Sequence, residues 1–350
     1  MSRTRWIIVV LSFAAIFAVS GWVVWSAFGK HGTPPPVPVW AHAIALGFAL
    51  LEIVSRTIKI QWGARALAIP MSFSLSLRTC LGGDFASCLT PSRSGAEPAR
   101  FLVLAESKMP VASILLVLFL EVVMELVTLI VVALGLWAIF GGSTTVLGFL
   151  TTIIVGYAAF LFAIATAGLL LAQRSASGPP PKWVRSVGLN AGHWRGIQRT
   201  IRHTRQSIAA LKGANLPWLG AAFSASVVHV LARLAILPVV VWSVEKGSEL
   251  SALVLWPLVL IYGGSIAPAP GGGGAVEFGF KAAFEGILSA PVLASSMIWW
   301  RFYTFYIYII LGAFAGGATV LRALRPDPPK PAPHKPSEPQ PPSAPLDTKG

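Results

Sequence analysis

Residues Cys80–Phe101 read CLGGDFASCLTPSRSGAEPARF. Asp84, Arg93, Glu97 and Arg100 surround a Thr90-Pro91-Ser92-Arg93-Ser94-Gly95 turn, in a chain of which only 11% of residues are charged. The segments on either side are strongly apolar. A charged turn in that setting either leaves the bilayer or lines a protected cavity, because hydrocarbon offers no partner to a charge or to open backbone. The cavity is the expectation adopted here. Phe73–Leu81 is only weakly apolar and too short to cross a bilayer, which takes about 20 residues. Residues 70–108 therefore read as a re-entrant hairpin with its turn at Thr90–Gly95.

Outward from this stretch the apolar runs lengthen. Trp6–Phe28, Trp40–Ile58, Met109–Phe140, Val146–Leu171, Leu216–Val244 and Pro291–Leu321 read as spans, in a chain that is 55% apolar with a mean hydropathy of +0.72. Trp6–Phe28 is too long for the apolar core of a signal peptide and lacks a clear small-residue cleavage site, so it is kept as a helix. Leu250–Ile266 runs into Ala267-Pro268-Ala269-Pro270-Gly271-Gly272-Gly273-Gly274, and Ala275–Leu288 restarts a helix too short to cross comfortably. Residues 250–288 thus form a second broken or re-entrant element. The expected fold is all-α: a polytopic integral membrane helix bundle of about seven or eight transmembrane helices with two re-entrant elements. Residues 1–325 form its membrane domain.

The net charge of +14 would suggest nucleic acid in a soluble protein. In a membrane protein it reads as basic loops beside anionic lipid, and nucleic-acid binding is not expected. Arg174–Ala214 holds eight Lys or Arg and no Asp or Glu. Within it Trp194, Ile197, Ile201, Ile208 and Leu211 recur at helical spacing, with Arg195, Arg199, Arg202 and Arg205 largely on the other side. That pattern describes an amphipathic helix on the anionic cytoplasmic leaflet. Arg3 and Arg5 before the first span, and Arg322 and Arg325 after the last, place both termini in the cytoplasm. The ten prolines in residues 326–350 describe a disordered or polyproline-like tail.

Of the 13 acidic residues, Asp327, Glu338 and Asp347 lie in the tail and Glu245 and Glu249 in an outer loop. The others, Glu52, Asp84, Glu97, Glu106, Glu121, Glu125, Glu277 and Glu285, fall within or beside membrane segments. A charge at mid-membrane costs about 2.5–3.5 kcal/mol even on lenient scales. Such groups either pair to fix helix packing or line a wet cavity. Glu52 and Arg56, four apart on one helix face, read as snorkelling interfacial anchors. Glu121 and Glu125 share a face deep in an apolar run, and so do His229 and Arg233 farther on. His229 reads as a packed or hydrogen-bonded core histidine.

The two breaks share a plan. Pro91 to Glu97 and Pro270 to Glu277 each set proline and glycine (Gly95; Gly271 and Gly272) before a helix start with an acid in its first turn. Free N–H groups at such starts suit a phosphate or carboxylate, and paired broken helices point to a transport site. No Lys-Ser/Thr follows the glycine run, so it is not a nucleotide loop. The histidines show neither metal-ligand spacing nor a Ser-His-Asp pattern, and no metal, cofactor or catalytic residue is expected. Cys80 and Cys88 lie eight apart; on one straight helix they would stand about 12 Å apart, too far to bond.

Taken together, Arg56…Lys59…Trp62, Thr90-Pro-Ser-Arg-Ser-Gly-Ala-Glu97-Pro-Ala-Arg100, Pro268-Ala-Pro-Gly-Gly-Gly-Gly-Ala-Val-Glu277 and Arg301-Phe-Tyr resemble the flippase-like membrane family that includes the transmembrane region of lysylphosphatidylglycerol synthase. The resemblance covers residues 5–322. Ala96 stands where that family usually has a second glycine, and Glu121 and Glu125 where it often has an Arg/Asp pairing. The resemblance implies lipid translocation or handling in the inner membrane. It does not imply aminoacyl transfer by this chain, which ends in the Pro-rich tail where the larger synthases carry a soluble transferase domain. The expected substrate is a lipid with a polar or anionic headgroup. Arg93, Arg233 and Arg301 are expected to contact a phosphate, and Glu97, Glu121, Glu125 and Glu277 to hold those arginines, meet a cationic headgroup or carry protons. Arg93 and Glu97 are expected to form the core of the site, with Arg100 nearby. A headgroup-modifying membrane enzyme and an accessory subunit of an envelope-lipid pathway are the alternatives.

Overall fold

The computed structural model describes residues 35–90, 92–140, 148–152, 213–264 and 272–316, with isolated positions elsewhere. Most of the expected spans Trp6–Phe28 and Val146–Leu171 and of the basic stretch 174–214 lies outside the described residues, as do the tail 326–350 and Pro91, Pro268, Pro270 and Gly271. Among the described residues there are nine α-helices and no strand. They are α1 (Val39–Ala66), α2 (Phe73–Leu89), α3 (Ala96–Glu106), α4 (Val111–Phe140), α5 (Leu216–Trp242), α6 (Leu250–Gly263), α7 (Ala275–Phe284), α8 (Ala290–Arg301) and α9 (Ile307–Ala315). The last two join through a π-helical turn at Phe302–Tyr306 into one element.

Three of these elements are long and apolar enough to cross a membrane: Val111–Phe140, Leu216–Trp242 and Ala290–Ala315. The burial pattern inverts that of a water-soluble protein. Leu134 is 56% exposed and Val131 46%, while Glu52 is 0% exposed and Lys59 1%. Apolar side chains face outward, as a lipid solvent permits, and the charges lie inside.

The helices α1 and α5 form an antiparallel pair. The Asn215 N–H donates to the Ala66 carbonyl at 2.9 Å, which puts the end of α1 beside the start of α5. Along α1, Ala41, Ala45 and Ala49 recur every fourth residue, fully buried against Ile236, Leu237, Val240 and Val241. Small residues at that spacing let the backbones approach closely.

The first hairpin, α2–turn–α3, forms as the sequence suggests. The Ser72 hydroxyl caps α2 by accepting from Leu75 N–H. At the turn the Thr90 hydroxyl accepts from Gly95 N–H at 2.8 Å and donates to the Ala86 carbonyl at 2.9 Å. Ser92 and Arg93 adopt left-handed backbone, with φ of 50° and 54°. A Cβ on Gly95 would stand 2.9 Å from the Ala86 carbonyl oxygen, so only glycine fits there unchanged. The hairpin packs on α9 through glycines of both partners: a Cβ on Gly316 would lie 2.5 Å from Gly82 Cα.

The second break, between α6 and α7, also forms. Gly272 (φ 73°) and Gly274 (φ 82°) reverse the chain, and Gly274 N–H donates to the Glu277 carboxylate at 2.7 Å.

The packed interior is layered along α1 and α5. One apolar cluster joins Ala41–Ala49 to Ile236–Val241 and to Phe280, Phe284 and Trp300. Another joins Ile60 and Ala64 to Cys80, Leu104, Leu116–Met124 and Ala222. Between them on α1 lie Glu52 and Arg56, and between them on α5 lie His229 and Arg233. The charges form a belt across the middle of the bundle.

Candidate functional site

The belt begins on α1. Arg56 holds Asp84 of α2 with both guanidinium nitrogens, one contact at 2.9 Å, and its Nε stands 3.4 Å from Glu52. Glu52 also accepts from the Tyr308 hydroxyl at 2.9 Å. All three charged groups are buried. Glu52 and Arg56 are therefore not snorkelling anchors: they sit mid-helix, and the first hairpin brings a carboxylate to them. One turn on, the Lys59 ammonium lies 2.6 Å from Glu125 and 3.3 Å from Glu121 of α4. Glu121 is also paired with Arg100 of α3. Glu125 accepts from the Tyr262 hydroxyl at 2.7 Å and stands 3.1 Å from His229 Nε2. His229 Nδ1 lies 3.8 Å from Glu52, closing the circuit, so His229 is the hydrogen-bonded core histidine that was expected.

The belt borders a small cavity of about 30 Å³ that opens to the outside. That is room for about two waters, so a larger group enters only through the open side. Ser87, Cys88 and Arg93 come to it from the first hairpin, and Ile261, Gly264 and Val276 from the second. Arg233 of α5 and Asp84 of α2, with Trp300, Arg301, Thr304 and Tyr308 of the α8–α9 element, form much of the remaining wall. The tips of the two broken elements thus meet at one space.

The eight sequence-selected residues divide into two groups. Arg93, Arg233 and Arg301 converge on the cavity. Glu277, buried behind it, stands 2.9 Å from Arg301 Nε. Arg233 donates to the Thr304 carbonyl at 3.0 Å and lies over the Tyr308 ring. Arg301 lies over the Phe305 ring, 4.2 Å from its centre. The remaining four belong to the ion chain. Glu97, its side chain 47% exposed, faces Arg100 at 2.9 Å. The structure separates Glu97 from Arg93, because the turn points the arginine to the cavity while the first turn of α3 points the acid to its own helix neighbour. Likewise, Glu121 and Glu125 hold Arg100 and Lys59 rather than the cavity arginines.

Both helix starts use their N–H groups internally. Gly274 N–H goes to Glu277, Gly95 N–H to Thr90, and Ala96 N–H to the Arg93 carbonyl. The guanidinium groups of Arg93, Arg233 and Arg301 supply the charge at the cavity. Gly83 is shaped for the ion chain, since a Cβ there would meet the Arg100 side chain at 2.6 Å. Among the described residues no group of three His, Cys, Asp or Glu side chains is placed to hold a metal.

A helical membrane protein, apolar outside, with a buried ion chain and an arginine-walled cavity between two broken helical elements, is the class these features define. The chain belongs to the family of the lysylphosphatidylglycerol synthase TM region, whose model matches residues 5–312. That match takes in both hairpins and every residue of the belt. No curated protein matches the chain.

Proposed function

We propose that the chain is a transporter of the cell inner membrane that moves a lipid with a polar or charged headgroup from one leaflet to the other, its termini cytoplasmic. The observation that carries this reading is the convergence of Arg93, Arg233 and Arg301 on a cavity at the meeting point of two broken elements. A bilayer resists headgroup passage because the polar end must leave water. A buried row of cations within an apolar shell lowers that barrier, while acyl chains stay in contact with the outward-facing Leu and Val surface. Basic residues Arg195, Arg199, Arg202 and Arg205 would rest on the anionic cytoplasmic leaflet.

The local chemistry favours transport over catalysis. The Ser87 hydroxyl donates to the Asp84 carbonyl at 2.8 Å, and the Asp84 carboxylate is held by Arg56. The Ser87 hydroxyl therefore has no base aimed at it. The test is reconstitution into liposomes with a panel of headgroup-labelled lipids. At least one lipid is expected to cross faster than in protein-free liposomes, and Arg93→Ala to slow it tenfold or more. Folded, correctly inserted protein that moves none of the panel would overturn the reading.

A further inference from the structure

The charges and donors around the cavity are lopsided, and the imbalance specifies a ligand. Arg93, Arg233, Arg301 and Asp84 line the space, an excess of two positive charges. Counting the charged groups directly behind them, Arg56, Glu52 and Glu277, still leaves one. Among the described residues no carboxylate stands within ion-pair distance of Arg93 or Arg233. Asp84 is held by both nitrogens of Arg56, so the one acid on the wall is already matched.

The unpaired atoms point the same way. Arg233 Nε, Arg301 Nη2 and Trp300 Nε1 are buried without a hydrogen-bond acceptor. Among the described residues that line the cavity, every such orphaned side-chain atom is a donor. Buried polar groups are nearly always satisfied in native proteins, and each exception calls for a partner that binds there. The missing partner must accept several hydrogen bonds and carry negative charge. Guanidinium groups meet that need best with a tetrahedral oxyanion, to which each can present a planar fork.

We propose that the cavity binds a phosphate group bearing net negative charge, carried on a lipid, and discriminates against headgroups whose net charge is positive. An amine on the headgroup would find no free carboxylate on the wall and would add to the existing excess. The proposal rests on the cavity being the headgroup site of the transporter reading.

The experiment uses the full chain in mixed micelles of a nonionic detergent, with thermal unfolding and competition binding as readouts. The probes are phosphatidic acid, phosphatidylglycerol, phosphatidylcholine, a phosphate-free cationic lipid and inorganic phosphate. Phosphatidic acid and phosphatidylglycerol are expected to bind at least tenfold more tightly than phosphatidylcholine, and the cationic lipid not to compete. Arg301→Gln is expected to abolish that preference. Because it also removes the Arg301 cation from Glu277, Arg93→Gln serves as the second variant: among the described residues Arg93 has no ion pair to lose, and the preference is expected to fall about tenfold with unfolding temperature unchanged. Equal binding of cationic and anionic lipids, or an unchanged preference in folded Arg93→Gln, overturns the proposal. Binding of inorganic phosphate without anionic lipid overturns the lipid source. Selective anionic-lipid binding with no transbilayer movement in liposomes sinks the transporter reading and leaves this one standing; movement of all headgroups alike does the reverse.

Discussion

Replacing Asp84 with asparagine isolates the strongest link between the first hairpin and the rest of the bundle. Asp84 and Arg56 are both 5% exposed, and their contact is two-pronged. Asparagine keeps the shape and one acceptor but removes the charge. The Arg56 guanidinium is then left with Glu52 as its carboxylate, at 3.4 Å. Removing one partner of a buried pair typically costs about 3–5 kcal/mol; with Glu52 still in place the lower end applies, about 3 kcal/mol. At 1.4 kcal/mol per decade, that raises the unfolded-to-folded ratio about a hundredfold. The assay is reversible unfolding in mixed micelles of increasing denaturing-detergent content, for wild type, Asp84→Asn, Arg56→Met and the double variant. The double variant is expected to be more stable than Asp84→Asn by about 2 kcal/mol, because the cation that Asp84 matched is removed together with it. Glu52 keeps its Tyr308 hydroxyl in that background. A loss below about 1 kcal/mol for Asp84→Asn, or a double variant no more stable than the single one, would refute the reasoning.

Three further outcomes are expected. Gly316→Leu forces the α9 backbone off Gly82, where even a Cβ would come within 2.5 Å; an overpacking cost of about 1–3 kcal/mol should appear in the same unfolding assay. Lys59→Met leaves Glu121 and Glu125 facing each other without their shared cation, a loss of about 3 kcal/mol or more, and Glu125→Gln in the same chain should recover at least a third of it. Cys80 and Cys88 are free and buried, so a maleimide reagent should label neither in the folded protein and both after denaturation, and non-reducing gels should show no internal bridge.

Much of the fold was legible because hydrophobic run length and Pro/Gly punctuation report directly on helix extent. The turn at Thr90–Gly95, the break before Ala275 and the long apolar helices of α4 and α5 follow from those signals alone. So does the depth of Glu121 and Glu125, since only a paired acid survives in such surroundings. Rotation about the helix axis and the identity of cross-helix partners are different matters. Arg56, Lys59, Trp62 and Arg65 cluster near one end of α1, which looks like an interfacial anchor in one dimension. Only the hairpin, folding back to bring Asp84 alongside, and α4, bringing two acids, turn the first two of those cations inward. The same limit explains Glu97: its spacing from Arg93 is short along the chain, yet the left-handed turn sends the two side chains to different neighbours. Lys59, Tyr262 and Tyr308 were missed as site-bordering residues because nothing along the chain marks which cross-helix partner a lysine or tyrosine finds.

The two broken helical arms are fastened to the bundle in different ways. The first is riveted by two buried ion pairs to separate neighbours, Arg56–Asp84 to α1 and Arg100–Glu121 to α4, and by glycine-to-glycine backbone contact with α9. The second is joined to the charged middle by the pair Glu277–Arg301 and by the Tyr262 hydroxyl on Glu125. Displacing the first arm breaks two buried charge pairs at once. In mechanical terms the first arm is a stator of this bundle, pinned at once to α1, α4 and α9.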